Sequence, residues 1–78
     1  MSEAMIVCDP KILCGKPTIR GTRISVEHIL ERLSSGDSIE DLLDEHPHIT
    51  RDQIRAAIEY AVKAVRRERD YPYPPVAA

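Results

Sequence analysis

The sequence contains no tryptophan and no phenylalanine, and its only aromatic residues are three tyrosines. A core without large rings must be filled by aliphatic side chains, here nine Ile, five Leu and five Val. Domains this small bury only about 60% of the surface exposed by the unfolded chain. A purely aliphatic core in 78 residues is therefore marginal alone, which predicts a partner chain, most simply a second copy. Two cysteines, Cys8 and Cys14, are too few for a disulfide scaffold and read as reduced, buried thiols. No apolar run approaches the roughly 18–20 residues of a membrane span. The N-terminus lacks the basic start and apolar stretch of a signal peptide. These absences argue against a secreted disulfide module, a membrane protein and a multi-domain enzyme. The expectation is a cytoplasmic protein with one domain over residues 1–70 and a Pro/Tyr-rich tail over 71–78.

Charge is unevenly placed. Residues 1–23 carry a balance of +2, residues 24–62 a balance of −6, and residues 63–78 again +2. A net charge of −2 with basic ends is not the pattern of a generic polyanion binder, although local basic patches remain.

The chain begins with extended structure and turns. Met5-Ile-Val-Cys8 is a short apolar run ended by Asp9-Pro10, and Cys14-Gly15-Lys16-Pro17 is a second break. Ile19 and Ile24 flank a turn centred on Gly21, which fits a tight hairpin or a kinked strand. Three helices follow. Ser25 caps the first, whose stripe is Val26, Ile29, Leu30 and Leu33, and Gly36 closes it. Ser38 starts the second, with Ile39, Leu42 and Leu43 on one face, and Pro47 forbids its continuation. Thr50-Arg-Asp-Gln53 is a capping box for the third. Its stripe of Ile54, Ala57, Ile58, Ala61, Val62 and Val65 runs to about Arg69, longer than the second helix can cover. The fold class is thus mainly α: a three-helix, helix-turn-helix domain behind a short N-terminal β-hairpin or extended segment.

Two segments are candidates for nucleic acid. A helix-turn-helix reader presents the N-terminal residues of its second helix to base edges, here Arg51, Gln53 and Arg55. Arginine matches guanine O6/N7 and glutamine matches adenine N6/N7. Against this stand the acids Glu40, Asp41, Asp44, Glu45 and Asp52, which repel phosphate, and the fact that any helical hairpin has this outline. The second segment is Lys16 to Arg23, where Arg20 and Arg23 on or near a strand resemble a ribbon-helix-helix half. Its plain alternative is a charged edge strand that resists aggregation. Cys8, Cys14, His46 and His48 offer zinc-ligating atoms, but C-x5-C and H-x-H match no common framework, so no metal or other cofactor is expected. Neither cysteine lies in a nucleophile–base signature, so the chain does not read as an enzyme.

The run Gly15-Lys-Pro-Thr-Ile-Arg-Gly-Thr-Arg-Ile24 resembles the signature of a small prokaryotic family, domain-of-unknown-function family 433. Gly36-Asp-Ser-Ile-Glu40, His46-Pro-His-Ile-Thr50 and Ala57-Ile-Glu-Tyr-Ala61 extend the likeness over roughly residues 5–62. Cys14 stands where another glycine is common, and Ser25 where proline is common. The resemblance implies a helix-turn-helix fold, often dimeric, akin to antitoxins encoded beside PIN-like ribonucleases. It directs attention to the third helix for operator DNA and to the basic C-terminal segment for the toxin. There Arg66, Arg67, Arg69, Tyr71 and Tyr73 combine bidentate cations with rigid aromatic area. The resulting expectation is an antitoxin and autorepressor that works as a homodimer. Its rival is a protein-interaction module or dimeric adaptor that never touches DNA.

Overall fold

The computed structural model describes residues 5–67. Strands β1 (Ile6–Cys8) and β2 (Pro17–Ile19) pair antiparallel, with Ile6 opposite Ile19 and Cys8 opposite Pro17. Helices α1 (Val26–Ser34), α2 (Ile39–Glu45) and α3 (Arg51–Arg67) follow in order. This is the expected mainly-α architecture with an N-terminal hairpin.

The hairpin closes over a longer connection than the sequence suggests. Residues 9–16 link the strands through a 3-10 turn at Leu13–Gly15, in which Leu13, Cys14 and Gly15 all have positive φ. The Gly21 turn is a separate device. Ile19 N–H donates to the Ile24 carbonyl at 2.9 Å, and Thr18 bridges to Ser25. Thr22 fastens the turn by donating its hydroxyl to the Ile19 carbonyl and accepting from Ile24 N–H. Ile19 and Ile24 are thereby both turned into the core.

Each helix starts where its cap is written. Ser25 Oγ accepts from His28 N–H at 2.9 Å. Ser38 and Asp41 form a reciprocal capping box, as do Thr50 and Gln53. At the end of α1, Gly36 adopts φ +103°, and the Asp37 N–H returns to the Arg32 carbonyl. That left-handed stop is the usual work of glycine.

Ile19, Ile24, Val26, Ile29, Leu42, Ile49, Ile54 and Ala57 form the core, where all three helices meet β2. Among the described residues no large ring enters it; Tyr60 packs half-buried at its edge. Both cysteines are exposed rather than buried. Cys8 ends its strand beside Tyr60 of α3, and Cys14 sits on the left-handed turn. No helix among the described residues is long and apolar enough to cross a membrane.

Acid should loosen α2 at its N-terminus. The Ser38 N–H and hydroxyl hold the Asp41 carboxyl below its ordinary value, and Arg51 does the same for Glu40. A depressed folded value means that the stabilisation is complete above the ordinary values of 3.8 and 4.5 and vanishes as pH falls through the folded ones. Ser38→Ala should cost about 0.5–2 kcal/mol at neutral pH. Urea unfolding of Asp41→Asn should show a smaller acid sensitivity than the parent; an unchanged pH profile would contradict the capping box.

Candidate nucleic-acid and partner interface

Helices α2 and α3 and the turn between them form the helix-turn-helix outline. Pro47 follows the α2 cap residue His46, whose N–H donates to the Leu42 carbonyl at 2.9 Å. Ile49 is buried and pins the turn to the core, so α3 begins at a fixed place beside α2.

The three α3 candidates are differently employed. Arg51 pairs with Glu40 across the two helices. The Gln53 amide oxygen accepts the Thr50 N–H at 2.8 Å, which leaves only its NH2 for another partner. Arg55 is exposed and makes no ion pair among the described residues. The Arg51–Glu40 pair is itself well exposed, and such pairs contribute about 0–1 kcal/mol. Phosphate can therefore compete for Arg51 at little expense.

The acidic face of α2 is partly neutralised. Arg32 on α1 binds both Asp37 and Glu45, its Nη1 lying 2.6 Å from Glu45 Oε2. These carboxylates raise the Arg32 pKa, and Arg32 in turn lowers that of Glu45. With Glu40 held by Arg51 and Asp41 occupied at the α2 cap, Asp44 and Asp52 are the exposed acids of this region with neither an ion pair nor a cap contact among the described residues.

Arg20 and Arg23 lie on the exposed Gly21 turn just past β2, where the Arg20 N–H donates to the Met5 carbonyl at 2.7 Å. They project from a turn, not from the middle of a ribbon strand. Lys16, just before β2, pairs with Glu27 at 3.3 Å.

A different surface lies along α1 and the second half of α3. Ile54 and Ala57 are fully buried and Ile58 and Ala61 half-buried, but Val62 is 44% and Val65 60% exposed. Two shallow apolar grooves of about 350 and 400 Å³ share Leu30, Ala61 and Val65, forming one continuous surface. Arg66 borders it, and Arg67 follows at the helix end. Arg69, Tyr71 and Tyr73 lie outside the described residues.

Sequence reasoning missed one grouping. His28 on α1 meets Glu45 and His46 at the end of α2, with ring centroids of the two histidines 5.9 Å apart. The residues are distant in sequence, and only the packing of α1 on α2 joins them.

Comparison with known proteins agrees with the fold. A bacterial relative, the uncharacterized protein y4eO of Sinorhizobium fredii, is 35% identical over 60 residues, or 77% of this chain. The matched segment spans 27% of that relative's length. A crystal structure of a DUF433 member protein from Anabaena variabilis superposes with a TM-score of 0.76 at 28% identity. That match covers 78% of this chain and 60% of the other. Residues 6–61, the hairpin and all three helices to Ala61, match the family described as protein of unknown function (DUF433), and the chain belongs to that family.

Proposed function

We propose that this chain is an antitoxin-like regulator that acts without catalysis. It works as a homodimer, represses its own promoter and holds a PIN-like ribonuclease. The observation that carries the reading is the apolar face of α3, which continues past the core to Val62 and Val65. A second copy of the chain completes such a surface, and Arg66 and Arg67 at its border suit a partner with an acidic cleft. DNA contact falls to Arg55 and Arg51 at the start of α3, supplemented by Arg20 and Arg23 on the Gly21 turn.

The rival reading, an interaction module that never binds DNA, has its own support. Arg51 and Gln53 are both engaged within the fold, and Asp44 and Asp52 remain nearby. Binding to the chain's own upstream DNA, followed by fluorescence anisotropy over a salt series, separates the two. A DNA reader loses affinity linearly in log salt because neutralised phosphates release counterions. Arg55→Ala should then cost about 1–3 kcal/mol at its cognate base and relax specificity there. If Arg20→Ala and Arg23→Ala abolish binding while Arg55→Ala leaves it intact, the turn is the reader. If no binding occurs even at low salt, the interaction-module reading replaces this one.

A further inference from the structure

We propose that His28, Glu45 and His46 form a binding site for a divalent transition metal of the zinc type. Among the described residues, one ligand atom from each of the three lies within 4.8 Å of the other two. Some point is then within about 2.8 Å of all three atoms, the centroid distance of an equilateral triangle with that side. Zinc–nitrogen and zinc–oxygen bonds are about 2.0–2.2 Å. Inward adjustments of less than about 1 Å per side chain, within the play of a rotamer, complete the geometry.

The histidine at the centre of this group is missing a partner. His46 Nε2 is buried and makes no hydrogen bond, its closest carboxylate oxygen being Glu45 Oε1 at 3.8 Å. An unsatisfied buried nitrogen is destabilising. A metal placed between His46 and Glu45 satisfies it, whereas a direct hydrogen bond at that separation does not.

The surroundings match what a metal site needs. Arg32 Nη1 holds both oxygens of Glu45, at 2.6 and 2.7 Å, and so fixes the orientation of the ligating carboxylate. Two imidazoles and one carboxylate are the three-ligand set of open zinc sites, which keep a fourth position free. His28 and His46 also line a cleft of about 570 Å³ with Cys14, Lys16, Arg23 and Ser25. The cleft provides an entry path, and Arg23 suits an exchangeable anion as the fourth ligand. His48 is exposed, and its ring stands 6.3 Å from that of His46 but outside the ligand triangle. A bound ion would clamp α1 to the end of α2, immediately before the turn that sets the start of α3.

The test uses the full chain, stripped with chelator and titrated with zinc alone by calorimetry, with thermal unfolding in parallel. One zinc per chain should bind and raise the unfolding midpoint, as any ligand of the folded state does. His28→Gln and His46→Gln should each weaken binding at least tenfold and abolish the midpoint shift. His48→Gln, and Cys8→Ser combined with Cys14→Ser, should leave both readouts unchanged. If His46→Gln fails to fold, His28→Gln decides the matter, because its ring is only half-buried. Absence of zinc binding to the parent overturns the proposal. So does binding that survives His28→Gln or that disappears with His48 or the thiols.

Discussion

Ile54→Ala is expected to leave the chain largely unfolded at 25 °C. Ile54 is fully buried at the point where α3 crosses the core, and the substitution removes three carbons from it. Truncations of this kind cost about 2–5 kcal/mol through lost transfer energy and the cavity left behind. A domain below 70–80 residues rarely draws more than about 3–5 kcal/mol from its core, so the loss is comparable to the whole. Far-UV circular dichroism with a urea titration measures it directly. Ile58→Ala, half-buried on the same helix, should lose less and keep a cooperative transition. Equal urea midpoints for Ile54→Ala and the parent would mean that α3 does not anchor the core as described.

Val62→Asp combined with Val65→Asp should separate assembly from folding. Both side chains are substantially exposed in the single chain, so charge there costs the isolated fold little. Buried against another subunit, each valine contributes about 1.5–3 kcal/mol, and a buried unpaired carboxylate adds a larger penalty. The dimer dissociation constant should rise at least a hundredfold, about 2.7 kcal/mol. Light scattering at micromolar concentration should show the parent at twice 8.8 kDa and the variant at 8.8 kDa with unchanged helicity. A parent that runs as a monomer, or a variant that stays dimeric, would remove the second copy from this face.

The helices were legible because their signals are local. Ser25, Ser38 and Thr50 each announce a start within four residues, and Gly36 and Pro47 each mark a stop. The α3 stripe was equally plain, including its overrun beyond the core. The hairpin was less so. Strands of three residues offer no period to count, and the pairing of Ile6 with Ile19 depends on an eight-residue connection whose path no composition reveals. Roles were harder still. Gln53 belongs to both a capping box and a base-reading position, and its oxygen is engaged at the cap as the box implies. Nothing in the order of residues foretells that the packing of α2 on α3 sets Glu40 beside Arg51. His28 carried no signal at all, since its neighbours Glu45 and His46 arrive from another helix.

The left-handed run at Leu13, Cys14 and Gly15 constrains how this sequence can drift. An L-residue with a side chain gives up about 1–2 kcal/mol in that conformation, and here two such residues precede the glycine. Cys14 has φ 56° and ψ 32°, a conformation that favours glycine. Glycine there relieves the crowding at Cβ but adds freedom to the unfolded chain, so the two effects largely offset. Valine or isoleucine would keep the crowding and worsen it, since branching at Cβ is least compatible with positive φ. Position 14 is therefore open to asparagine, aspartate and glycine and closed to the residues that dominate the rest of this chain.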